Sequence, residues 1–187
     1  MSKIFTSEIL TESIVMIKVI KGSIESLEQV IDFIQGLSDE VYMQIPNPLF
    51  NSSIGQHLRH ILDLYMALIN ANDFRNINYD VRRRGLALET DKNEGIKELF
   101  MVCDWLKSLD VMRLNIKTHI STEVSVYSEV TANFPSTVGR EVCFVSTHLT
   151  HHLALMAAIA KFLGHCVNTN LGVAPTTASF LRSQKQG

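Results

Sequence analysis

The chain has 187 residues, 46% hydrophobic and 19% charged, with 4 Pro and 9 Gly, the balance of one folded domain over 1–187 rather than a disordered segment. Seventeen Lys and Arg against nineteen Asp and Glu leave a formal charge of -2, so total charge directs the chain neither to nucleic acid nor to an anionic membrane. Three cysteines, Cys103, Cys143 and Cys166, cannot all pair and none stands in C-x-x-C spacing, which argues against a disulfide framework or a thiolate zinc site.

Helical periodicity runs from Thr6 to Leu37, with Ile17, Ile20, Ile24, Leu27, Ile31 and Ile34 three or four apart. Gly22 and Ser23 are expected to divide it into a short helix and a longer one. Glu8 and Glu12 interrupt the apolar N-terminal stretch, unlike a signal peptide. No uninterrupted apolar run reaches the ~18–20 residues that cross a bilayer, and a cytoplasmic protein is expected. Segment 38–53 contains Pro46 and Pro48, which remove backbone donors and favour extended neighbours, so it reads as a loop.

Ser52 or Ser53 caps a second helix, GQHLRHILDLYMALINA, with Ile54, Leu58, Ile61, Tyr65 and Leu68 on one side. Segment 72–91 is polar and basic without a sustained period, a long connection of the kind that often carries function. Thr90 caps a third helix over about 91–109, through Ile96, Leu99, Phe100, Cys103 and Leu106. Between 114 and 134 apolar and polar residues alternate, which suggests a short β-hairpin or an extended excursion. Pro135 and Ser136 open the last long helix, which ends at Gly164, a natural left-handed residue after a helix. The tail after His165 is expected to be partly irregular. Four amphipathic helices and one excursion predict an all-α fold, an antiparallel four-helix bundle with long connections.

Five of the seven histidines fall in two helical clusters: His57 and His60 in GQHLRH, and His148, His151 and His152 in STHLTHH. Residues four apart project from one helix face, so His148 and His152 can direct two imidazoles at one point. Helical phase puts that pair in the middle of an apolar arc formed by Phe144, Val145, Leu155, Ile159 and Phe162. Unpartnered polar groups there would cost on the order of 1–3 kcal/mol each. A divalent metal would remove that cost by taking one ring nitrogen while the other donates to a neighbour. A third imidazole from a second helix would complete a facial set with open positions. Phase places His57 nearer the middle of its helix's apolar arc and His60 at the edge. His151 lies off the main face, and the isolated His119 and His165 read as structural or exposed.

SSIGQHLRHILDLY, followed much later by STHLTHHLALMAAIAKFLG, resembles the DinB-like (DinB/YfiT) superfamily of four-helix-bundle metal-dependent proteins. The S-I-G-x-x-L-x-H pattern falls on Ser53, Ile54, Gly55, Leu58 and His60, and the closing pattern on His148, His152 and Gly164. The resemblance therefore implies a metal held by His60, His148 and His152, and leaves His57 as a pocket residue or alternative ligand. It also implies metal-dependent transferases or isomerases that use low-molecular-weight thiols, and, with the apolar content, a homodimer.

Glu141 stands two turns before His148 on the same face, where it can accept a proton from an imidazole, touch a substrate or form a salt bridge. Arg82, Arg83 and Arg84 form the only dense basic run, either a solvated loop or a clamp for a carboxylate or phosphate. The Glu-x-x-His repeats of di-iron bundles and the glycine-rich nucleotide loops are absent from the sequence. The expectation is an enzyme in which a divalent Zn, Ni or Fe activates a nucleophile or polarises a carbonyl of a small molecule, with thiol transfer or hydrolysis as concrete forms. The alternative is a non-catalytic bundle with a structural or adventitious metal, acting through assembly.

Overall fold

The computed structural model describes residues 2–185, and the side chains of these except residues 2–14 and Asn72; the side chains of Glu8 and Glu12 thus lie outside the described set. The protein is mostly helical. Four long helices, α1 (Ser2–Gln35), α3 (Ile54–Ile69), α4 (Lys92–Ser108) and α6 (Val138–Phe162), pack with α1 and α3 each against both α4 and α6. Their shared core holds Leu27, Val30, Ile34, Leu58, Leu62, Tyr65, Leu99, Leu106, Val145 and Leu149. Short helices α2 (Asp39–Met43) and α5 (Val111–Leu114) lie in the connections, and α7 (Pro175–Gln184) follows α6.

The helical content agrees with the expected all-α class, and a small sheet is added to it. Strands β1 (Asn76–Asn78), β2 (Lys117–Glu123) and β3 (Thr131–Thr137) form a sheet in the order β1-β2-β3. The antiparallel pair β2–β3 is the hairpin that alternation suggested. The parallel pair β1–β2, with Ile77 opposite Ile120, recruits part of the segment read as connection. Both isoleucines are buried, and that shared apolar contact is what holds so short a strand in place.

Other boundaries shift for local reasons. α1 passes through Gly22 and Ser23 unbroken, with the Ser23 hydroxyl donating to the Val19 carbonyl. Ser38 accepts from the Val41 amide and so starts α2 inside the segment read as loop. Ser53 caps α3 in a reciprocal capping box with Gln56. Asp91, not Thr90, caps α4. Pro135 and Ser136 belong to β3, an edge strand where a missing amide donor is tolerated, and Thr137 caps α6. Gly164 does close α6, at φ 83, with its own amide and that of His165 returning to Lys161 and Ala160. The tail contains α7, which Pro175 starts and which buries no side chain.

By length and composition α6 could also cross a membrane, with a mean hydropathy of 1.4 over its most apolar window. No uninterrupted apolar run signalled this, because Ser, Thr and His lower the average only mildly. In the folded chain its stripe Val138, Val142, Val145, Leu149, Leu153 and Met156 is buried, and the helix packs against α1 and α3.

Candidate metal centre

The seam between α3 and α6 carries both histidine clusters. Gly55 lets the start of α3 approach the turn at Ala87–Glu89: a Cβ on Gly55 would stand 2.2 Å from the Glu89 carbonyl oxygen. The S-I-G pattern thus has a packing reason. About half a turn and one and a half turns further on, His57 and His60 reach towards the histidines of α6.

His60, His148 and His152 each offer a ring nitrogen, and the three atoms lie within 4.8 Å of one another. The His60 Nε2 and His148 Nε2 atoms are 3.2 Å apart, close to the edge of a tetrahedron whose bonds are about 2.0–2.1 Å long. His152 Nδ1 is 3.3 Å from His57 Nδ1. Between His57 and His60, the structure brings the latter into the triad and sets the former behind His152.

All four of these imidazoles are half-buried, not core-facing as phase suggested. Phe144 and Phe162, which defined one side of the expected arc, are exposed. The buried stripe of α6 runs along the other side, so His148 and His152 sit at its edge. Burial favours neutral rings throughout. It combines with the charge of Arg82 and with His148 and Arg59 to lower the His60 pKa to about 4, against a partial opposing effect of Asp63. Burial and the neighbouring imidazoles lower that of His152 to about 3. Burial, His151 and Arg82 lower that of His148, and burial lowers that of His57. Neutral imidazoles are the form that binds metal.

Two clefts meet at the triad. The larger, of ≈ 530 Å³, is bordered by His57, His60, His152, Arg59, Arg82 and Arg84. The smaller, of ≈ 300 Å³, is bordered by His60, His148, Tyr79, Phe134, Glu141 and Phe144, with Arg82 at the shared wall. His151 is exposed, as its helical phase implies.

Glu141 is 1% exposed and is held by donors unrelated to the histidines. The Tyr79 hydroxyl donates to Oε2 at 2.8 Å, and the Ser136 hydroxyl and Arg140 Nη1 donate to Oε1 at 2.5 and 3.3 Å. Burial and the Glu141 carboxylate push the Tyr79 pKa strongly upward, so Tyr79 stays a donor. Neither the histidine nor the arginine spacing points to Tyr79; its alternation with Ile77 is the signal the sequence carries.

The three arginines separate. Arg83 Nε and Nη2 donate to Asp63 at 2.7 Å and Glu98 at 2.6 Å, while Arg59 joins Asp63 at 2.7 Å and Glu89 at 3.0 Å. This network, centred on the buried Asp63, was not foreseen. Arg82 donates to the carbonyls of Tyr79 and Val81. Among the described residues, no carboxylate pairs with Arg82 or Arg84. The three cysteines are free.

No family model and no solved structure matches the chain. FK506-binding protein 5 of Rhizopus delemar is 27% identical over 108 residues, a match that covers 58% of this chain and 28% of that protein.

Proposed function

We propose that the protein is a DinB-like four-helix-bundle metalloenzyme in which His60, His148 and His152 hold one divalent ion. The carrying observation is the convergence of three half-buried ring nitrogens within 4.8 Å from two helices. The order of the long helices, the Ser53–His60 motif and the Gly164 stop support the family assignment.

Three imidazoles leave coordination positions for a water or substrate, and no fourth acidic or thiol ligand belongs to this cluster among the described residues. A bound ion would supply Lewis acidity and lower the pKa of a coordinated nucleophile. The chain's own residues do the positioning. His57 Nδ1 lies 3.3 Å from His152 Nδ1; with His152 Nδ1–H as the donor, Nε2 of His152 is the ligand atom and the contact orients the ring. Arg82 borders both clefts, and its charge adds to burial in favouring neutral His60 and His148. Transfer of a small thiol is the reaction the resemblance favours, and a cytoplasmic homodimer is proposed with it.

Cobalt(II)-loaded protein titrated with 2-mercaptoethanol tests the reading. A thiolate-to-cobalt charge-transfer band that saturates with thiol is expected. A cobalt spectrum unaltered by thiol, anion or pH would show closed coordination and favour a structural metal.

A further inference from the structure

The two clefts differ in chemistry. The larger has three guanidinium groups, from Arg59, Arg82 and Arg84, against the single carboxylate of Glu89. Arg59 is consumed by Asp63 and Glu89, which leaves Arg82 and Arg84 as its uncompensated positive charge. The smaller cleft is walled by Leu64, Ile120, Phe134 and Phe144. Phe144 is 37% and Phe134 42% exposed, so both present apolar surface that the fold itself leaves uncovered.

Glu141, the acidic group of the smaller cleft, is occupied by three donors. It therefore offers little to a cationic ligand. His60 and Arg82 border both clefts. A single small molecule can keep an anionic group on Arg82 while its body lies against Phe144, which stacks on His148 with ring centroids 6.0 Å apart.

We infer that the two clefts form one binding site for a small organic anion with an apolar body, its carboxylate or phosphate held by Arg82 and Arg84 and its hydrocarbon by Phe134 and Phe144. The inference deepens the metalloenzyme reading and rests on it for the placement of the reacting group beside the triad. Guanidinium groups match planar carboxylate and phosphate oxygens. Desolvating the hydrocarbon against two phenylalanines adds affinity that an inorganic anion cannot gain.

Isothermal titration of tag-free protein, metal-free and zinc-loaded, with four probes tests this: 4-phenylbutyrate, phenyl phosphate, neutral 4-phenylbutyramide and inorganic phosphate. At least one aromatic anion should bind on the order of tenfold more tightly than both the amide and inorganic phosphate. Whichever aromatic anion binds better identifies the head group. Arg82→Gln and Arg84→Gln should each weaken the anion several-fold without changing amide binding, whereas Phe144→Ala should weaken aromatic probes and spare inorganic phosphate.

Equal binding of the acid and its amide would overturn the anion clamp, and equal binding of inorganic phosphate would overturn the apolar half. So would unchanged anion binding in both arginine variants, whose folding is checked by their melting curves and zinc content. If the aromatic anion binds to metal-free protein while zinc fails to bind at all, the metal reading falls and the anion site stands. If zinc binds stoichiometrically and no aromatic anion does, the reverse holds.

Discussion

Helix α3 carries two polar clusters one turn apart, and they are built in opposite ways. Around Asp63, two guanidinium groups and the carboxylates of Glu89 and Glu98 pair with one another in close contacts. Around His60, three imidazoles meet mainly each other, at the junction of two clefts. The first cluster is complete from protein groups alone and ties the 83–89 segment to α3 and α4. The second presents convergent lone pairs that protein hydrogens satisfy only partly. A closed network belongs to the fold; an open one is available to a ligand.

Removing the centre of the closed network should have the largest effect. Asp63→Ala would leave the guanidinium groups of Arg59 and Arg83 without their shared carboxylate, at a cost of about 3–5 kcal/mol. Chemical denaturation should show it as a large fall in midpoint. His148→Ala, measured the same way on metal-free protein, should change stability by no more than about 1 kcal/mol while removing metal. Similar destabilisation by both would erase the distinction between the clusters.

Acid sharpens it further. The folded-state pKa values of about 4 for His60 and about 3 for His152 lie below the unfolded value of ~6.5. Between those limits the unfolded chain binds more protons, so the triad's contribution to stability is present above ~6.5 and is lost as pH falls towards the folded values. Metal-free protein should therefore lose stability from about pH 6.5 downward, and a triple alanine variant should lose less. Metal affinity itself should hold to lower pH than free imidazoles would allow, since the folded ligands remain neutral well below ~6.5. That moves the expected loss of metal below the range that unperturbed histidines alone would give.

A smaller effect is expected at His57. It touches His152 but lies outside the triad, so His57→Ala should reduce metal affinity by roughly 10–100-fold through the freed orientation of His152. Competition against a chelator reads this directly. An affinity unchanged within about twofold would remove the positioning role.

The long helices were legible because their apolar residues recur every three or four positions, and the Ser53 and Gly164 ends because side-chain capping and a positive φ have local chemistry. The i, i+4 spacing likewise gave His148 and His152. What misled was the assumption that every apolar residue on α6 faces inward: Phe144 and Phe162 do not, which moved the apparent arc. The pairing of β1 with β2 joins residues about forty positions apart, and no local pattern announces it. Arg82, Arg83 and Arg84 are equivalent as a sequence run and become different only when Asp63 and Glu98 claim the middle one. His60, not His57, meets both His148 and His152 once α3 packs on α6, a tertiary fact that helical phase does not contain.

Metal content of tag-free protein, measured by mass spectrometry after dialysis against one equivalent each of zinc, nickel and iron(II), tests the central claim most directly. The expected result is one bound divalent ion per chain, lost in His60→Ala, His148→Ala and His152→Ala and kept in His151→Ala. Stoichiometric metal in all four variants, or none in the unsubstituted chain, would contradict the triad as a metal centre.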